Sequence, residues 1–551
     1  MRPPDDNLVR FHAATDDYLE AYYDAHPCTA TYMGVPGRDD LLPNVSRHAL
    51  DADLRKAREY LHAIDKLSVA TMAACDRVDY RLARSVVQMR IFEFEQLRPH
   101  ERQPAWYIDD ALMGCFFLMC RDEPTLHERG ASLLHRVRDI PDLLDKAAEN
   151  LSGVPKPFAV AALEACDGAL DFFQNSVPRF GRTMGSARYL ESLEQACSAA
   201  LAACNKFRDH IETVLLPGAP DEVAIGRDSF DYLLRVWHLM QEDSVALLEF
   251  GEQVVAETKT ALEEKAAEID PGKSWQAIIA DLKLSHPAAN EVVSFYATEM
   301  ERARRFIIER NLVSFPGNER LSVVETPAFQ RGMLPYAACL PPAAFAKEQH
   351  GQMWVTPIDP EASREDQEAR LQGHSKFRVA IIALHEAYPG HHLQFSIANQ
   401  HRSPYRRHFG NSNVFCEGWA LYCEEMMYQE GFYGDEGARL MQLKEQLWRA
   451  CRVVIDVKLH TGEWSPAQCA QFLVDEARLE VESARVEVQR YCANPTQPMS
   501  YMLGKKQLLA LRADEEKRKG DKFNLREFHD EVLSHGTIPF RLVREEMARE
   551  I

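Results

Sequence analysis

No C-x-x-C pair occurs anywhere in the 551 residues, although the chain has thirteen cysteines. Their number is odd and they are scattered through helical patterns, as in Cys115/Cys120 and Cys416/Cys423, so neither a disulfide framework nor a thiolate zinc site is expected. They read as reduced, mostly buried thiols of a cytoplasmic protein. Long hydrophobic runs are also missing, which excludes a membrane-spanning helix. The opening MRPPDDNLVRFHAATDDYLEAYYDAHP has neither an apolar h-region nor a small-residue cleavage site, so a signal peptide is not expected. No fixed-period repeat or low-complexity tract is visible, against a solenoid or a disordered linker. Positive charge is in deficit: 64 Lys plus Arg face 84 Asp plus Glu, a formal net charge of −20. That balance disfavours nucleic acid and an anionic membrane surface as partners.

What fills the chain is the 3.6-residue period of amphipathic helices, as in LLHRVRDIPDLLDKAAENL (133–151) and SLEQACSAALAACNKFRDHIETVLL (192–216). Pro, Gly and Asp cluster in LPGAPDEVAIGRD (216–228), which reads as a hinge between an N-terminal helical lobe, 1–216, and a catalytic lobe, 217–551. Strand signals are few and bunched between 321 and 358. LSVVETP and GQMWVTP carry β-branched and aromatic residues and each ends in proline, while PYAACLPP lies between them. A small sheet there would directly precede the most informative helical segment, as a structural element or as an edge that holds an extended peptide.

That segment is SKFRVAIIALHEAYPGHHLQFSIANQ, expected as a helix over about 375–400, with Ser375 as N-cap and an apolar run leading into His385. In an ordinary H-E-x-x-H zinc helix the second histidine sits at i+4, one turn on, and the glutamate acts as general base. Here i+4 is Pro389, which has no N–H to donate and would clash with the carbonyl of His385, so a kink or bulge is expected with Gly390 easing it. On an unbroken helix His391 would lie about 120° round from His385, and His392 nearly in line but roughly 10.5 Å further along. A two-residue bulge at Pro389-Gly390 returns His391 to an i+4-like position. His385 and His391 are therefore the expected ligands, with His392 as the alternative ligand or a neighbouring support or substrate contact.

NVFCEGWALYCEEMMYQEGF, a second helical pattern with its helix over about 413–430, carries Glu417 inside an apolar run beside Gly418. A carboxylate there is costly unless paired or metal-bound, so His385, His391 and Glu417 form a candidate catalytic zinc set, with Glu386 as the base that activates water. Glu424, at i+7 from Glu417, is placed either to orient a ligand histidine or to face solvent. The donor set suits Zn2+, with Mn2+, Co2+ or Fe2+ as other candidates.

HEAYPGHHLQ followed by EGWALYCE resembles the HExxPGHH proteins grouped as domain of unknown function family 885, which look like gluzincin metallopeptidases. The resemblance extends to DDYLEAYYDAHPCTATYMGV, VVETP, RYCANPTQPMSYMLGKKQLLALR and FHDEVLSHGTIP. EGWALY is similar to the NEGFA segment of aminopeptidase N-type enzymes, and by that resemblance Glu417 is the third zinc ligand. The resemblance also implies that Tyr501, three residues before Gly504, donates a hydrogen bond to the oxyanion; its other reading is a buried tyrosine closing a helix pair. In WRACRVVIDVKLH (448–460) Arg449, Arg452, Asp456 and His460 recur at helical spacing, as a metal- or substrate-orienting set or as a salt-bridge ladder. Arg490 is the other candidate to bind a substrate carboxylate, and His535, with His529 before it in the closing helix–loop pattern, is the last candidate site residue.

The expected fold is mainly α: a two-lobed helical metallopeptidase-like fold of the neurolysin or carboxypeptidase Taq type, around a deep cleft, with a small β-sheet before the metal-binding helix. The expected function is zinc-dependent cleavage of short peptides. The alternative keeps the metal but acts on an amide-containing small molecule, or catalyses a lyase or oxidative step. A metal-free scaffold is disfavoured by the intact HE, HH and EGWALY elements.

Overall fold

The computed structural model describes residues 6–331, 334 and 336–548. The chain divides into two compact units, one of residues up to 225 joined by short segments at 328–332 and 344–346, the other holding the rest from Gly226 onward. No helix of the described residues is long and apolar enough to cross a membrane. All thirteen cysteines are free thiols, ten of them buried and Cys75, Cys120 and Cys339 part-buried.

The first unit is helical throughout, and its longest pieces, Leu126–Asn150 and Ala187–His210, are the periodic segments of the sequence. Its core closes over a buried cation: Arg136, fully shielded, donates to the carbonyls of Leu41 and Gly114 and to Thr31 Oγ1. Carbonyl oxygens solvate that guanidinium in place of water, the condition for burying a charge at all. The 328–330 turn adds Phe329 to this core, where its ring meets Phe116 and Phe172 at centroid distances of 5.4 and 4.8 Å.

The second unit opens on a short helix, Arg227–Val236, and includes the longer helices α1 (Ser244–Ile269) and α2 (Val292–Arg310) before a three-stranded sheet. Its strands are β1 (Glu319–Glu325), β2 (Ala337–Leu340) and β3 (Gln349–Val355). β3 lies in the middle, parallel to β1 with Glu319 opposite Gln349, and antiparallel to β2 with Ala337 opposite Val355. β2 falls within PYAACLPP, which has too few β-branched residues to announce a strand.

The predicted 375–400 helix is two helices, α3 (Lys376–Glu386) and α4 (His391–Ala398). Ser375 caps α3, its side chain accepting from Arg378 N–H. Residues 378–385 are all buried, consistent with an apolar run that surrounds the helix on every side. After it come α5 (Asn413–Gln429), α6 (Glu436–His460), α7 (Val481–Cys492) and α8 (Ser500–Lys519). α6 is the axis of this unit: almost every residue is buried, among them Lys444, Glu445, Arg449, Arg452, Asp456 and His460. A salt-bridge ladder on a solvated face is thereby excluded.

α5 and α8 touch backbone to backbone. A Cβ on Gly418 would stand 2.4 Å from Gly504 Cα, and one on Gly504 would stand 1.9 Å from the carbonyl of Val414. The pair sets the separation of Glu417 on α5 from Tyr501 on α8. Gly418→Ala must push the helices apart, and overpacking of this kind costs about 1–3 kcal/mol. We expect a lower melting temperature and weakened metal binding for Gly418→Ala; a variant that melts with the wild type would contradict this packing.

Candidate metal centre

α3 ends one residue after His385. Ala387 leaves the helix at φ −111°, ψ −87°, and Gly390 opens α4 at φ −69°, ψ −136°. The break therefore takes four residues, Ala387 to Gly390, where the sequence suggested two. Gly390 lies so close to the preceding turn that a Cβ would sit 1.9 Å from the carbonyl of His385, and its N–H donates to Leu384 O at 3.0 Å. No other residue fits there. The Pro389 carbonyl, freed by the break, accepts from Trp419 Nε1 of α5 at 2.7 Å.

The break brings His391 beside His385, ring centroids 4.7 Å apart and planes at 89°. Glu417 meets both: its Oε2 is 3.5 Å from His385 Nε2 and 3.3 Å from His391 Nε2. Both distances exceed the usual 2.7–3.2 Å of an N–H···O bond, and this buried oxygen has no hydrogen-bond partner. An ion held tetrahedrally at zinc's 2.0–2.1 Å bond lengths keeps its ligand atoms roughly 3.3–3.4 Å apart. The spacing and the unsatisfied carboxylate oxygen thus fit a cation between His385, His391 and Glu417, whose ligand atoms all lie within 4.8 Å of one another.

Around this trio stand groups that fix it. Glu424, fully buried, accepts from His385 Nδ1 at 2.9 Å, which leaves Nε2 of that ring for a metal. Burial opposes charge on His385, yet the carboxylates of Glu417, Glu424 and Glu386 hold its pKa up at about 9. Burial likewise opposes charge on Glu417, but the two imidazoles keep its carboxyl well below the usual range. Gln497 Nε2 donates to the second oxygen of Glu417 at 3.4 Å.

His392 is turned away from the trio. Its Nε2 lies 2.9 Å from Glu319 Oε2 on β1, and Tyr388 donates to that same oxygen at 2.7 Å. Gly351 of β3 makes room for it, since a Cβ there would stand 2.5 Å from His392 Nδ1. His392 therefore ties the break to the sheet. Glu319 carries no signal in the sequence for this role, because His392 and Tyr388 are some seventy residues away.

Glu386, half-buried, follows His385 on the last turn of α3 and hydrogen-bonds to no side chain among the described residues. Tyr501 stacks on His385 at a centroid distance of 6.1 Å. Burial, with the charge of Glu417 in support, pushes its phenol up to about 12 against the opposing arginines, so it remains an O–H donor at neutral pH. Arg452 lies over the Tyr501 ring at 4.7 Å and shares Glu487 with Arg490, at 3.4 and 2.8 Å.

Three candidates stand apart from the trio. Asp456 accepts from the backbone N–H groups of Thr496 and Met499, at 3.1 and 3.0 Å, and so anchors the loop that presents Gln497 and starts α8. His460 Nε2 meets the Tyr491 carbonyl at 3.1 Å. His535 pairs with Glu546 at 2.9 Å, and Glu546 in turn is held by buried Arg406. His529, in the same closing pattern, bridges Tyr422 and the Leu312 carbonyl.

The family model "Bacterial protein of unknown function (DUF885)" matches residues 27–547. The chain belongs to this family. Two solved structures share its fold over nearly the full length. A "putative lipoprotein of unknown function" from Shewanella oneidensis is 22% identical with a TM-score of 0.79, covering 98% of this chain and 100% of its own. A "putative lipoprotein" from Colwellia psychrerythraea is 18% identical with a TM-score of 0.84, covering 99% of each. No curated protein matches the chain.

The two adjacent histidines are separable by metal analysis. We expect His391→Ala to lose the metal and His392→Ala to retain it while melting earlier, because Glu319 then loses a buried partner. Glu424→Gln should weaken metal affinity by about 10–100-fold. Loss of metal in His392→Ala with retention in His391→Ala would reverse the assignment.

Proposed function

We propose that the protein is a metal-dependent hydrolase, most simply a zinc metallopeptidase of gluzincin type that cleaves short peptides. The observation that carries this reading is the buried Glu417 oxygen facing His385 Nε2 and His391 Nε2 at ion-binding separations. Two imidazoles and one carboxylate leave a tetrahedral ion one open position, the arrangement of catalytic rather than structural sites. The helical architecture with a small sheet before the metal helix accords with a neurolysin or carboxypeptidase Taq type of enzyme. Zn2+ is the ion of choice, with Mn2+, Co2+ or Fe2+ also compatible with the donors. Free thiols throughout support a reducing, cytoplasmic setting.

Such an ion polarises the scissile carbonyl and makes water acidic enough to attack near neutral pH. The remaining work belongs to the chain. Glu386, next to a candidate ligand and with no side-chain hydrogen bond among the described residues, takes the proton of the attacking water and passes it to the leaving amine. Tyr501, protonated and stacked on His385, donates to the carbonyl oxygen as it gains charge. Glu424 holds His385 in the tautomer that ligates, and Gln497 orients Glu417.

The test is a hydrolysis assay on a mixture of short unmodified peptides with zinc-loaded protein. Wild type should cleave, chelation should abolish cleavage, and Glu386→Gln should lose about 10²–10⁴-fold with its metal content intact. Undiminished cleavage by Glu386→Gln sinks the assigned base. A metal-containing wild type that cleaves no peptide would favour the alternative, metal-dependent chemistry on a non-peptide amide or another small molecule.

A further inference from the structure

Beside Tyr501, a cluster of cations outnumbers the carboxylates it pairs with. Glu445, 1% exposed, is contacted by Arg378, Lys444 and Arg449 at 3.2, 3.0 and 2.7 Å. Glu487 serves both Arg452 and Arg490. Arg449 and Arg452 lie over the same Trp448 ring, at 5.0 and 4.3 Å, which joins the two groups into one cluster. Counting Glu424, whose charge also reaches Arg449, five cations, four of them buried and Arg490 part-exposed, stand against three carboxylates, in a chain whose formal net charge is −20.

The donors are short of acceptors as well. Arg449 and Arg452 are 9% and 3% exposed, and the Nε–H of each is buried without a hydrogen-bond partner among the described residues. A buried guanidinium left with an unused donor costs stability. An anionic ligand that accepts from these groups would remove that cost, and a planar carboxylate matches the guanidinium fork. Position narrows the ligand further. Arg452 lies against one side of Tyr501, whose ring stacks on His385. These two separations, 4.7 and 6.1 Å, put Arg452 within about 11 Å of the His385 ring, a span that an extended peptide advancing about 3.3–3.6 Å per residue covers in about three residues.

We propose that Arg449 and Arg452, with Arg490 beside them, bind the free terminal carboxylate of a short peptide substrate, which makes the protein an exopeptidase acting from the C-terminal end. This rests on the metallopeptidase reading, but its test is a binding measurement that stands apart from cleavage.

Calorimetry on zinc-loaded Glu386→Gln protein would compare acetyl-trialanine with acetyl-trialanine amide. We expect the acid to bind at least about tenfold more tightly, the margin of a charge-assisted hydrogen-bond pair. Arg452→Gln should erase the preference and Arg452→Lys retain part of it, with the amide's affinity and the metal content unchanged in both. The acid–amide comparison needs no arginine variant, so it remains decisive if Arg452→Gln folds poorly. Equal binding of the two peptides, or binding of neither, overturns the proposal. Tighter binding of the acid by a protein that never cleaves it would uphold the carboxylate site and defeat the peptidase reading instead.

Discussion

Everything at the centre depends on the close approach of Gly390 to the last turn of α3. With the Gly390 backbone packed against the carbonyls of Leu384 and His385, the helix breaks over four residues and restarts at His391. A continuous helix would carry His391 to another face. The break exposes a carbonyl at Pro389, and Trp419 satisfies it from α5, two residues beyond Glu417. The hydrogen bond that stabilises the break therefore also brings the third candidate ligand to the first two.

A second constraint follows from the first. Once α5 is held against the break, whatever packs behind it must leave room for that placement, and the Gly418–Gly504 contact provides it. Tyr501 arrives on α8 as a result. The charges along α6, together with Glu487 of α7, then serve as supports. Asp456 fixes the loop that carries Gln497, while Glu445 and Glu487 hold the arginines around Tyr501. Burying so many ionisable groups is unfavourable for stability alone, which is the reason to look to ligand binding for their purpose.

Much of this was legible in the sequence, for reasons that can be named. HEAYPGHH signals a broken helix because proline's missing donor and glycine's missing side chain act locally. Glu417 stood out because a carboxylate in an apolar run needs a partner. The mainly helical fold follows from period, and two of the three strands from β-branched content. What was not legible is long-range. Glu319, which holds His392, and Trp419, which holds Pro389, look like ordinary strand and core residues until the fold brings them in. Asp456 and His460 were correctly read as one helical face, but that face binds the 491–499 backbone and not the metal trio, a choice made by the neighbouring α7–α8 segment. His535 resembled a site residue only because histidine before glycine has no local meaning; its partner Glu546 decides its role.

The most direct test of the account is anomalous diffraction at the zinc edge from crystals of the zinc-loaded protein. The account requires one peak, about 2.0–2.1 Å from His385 Nε2 and His391 Nε2 and bonded to a Glu417 oxygen, with His392 still on Glu319. A peak ligated by His392, or no peak between the three residues at full zinc loading, would contradict it.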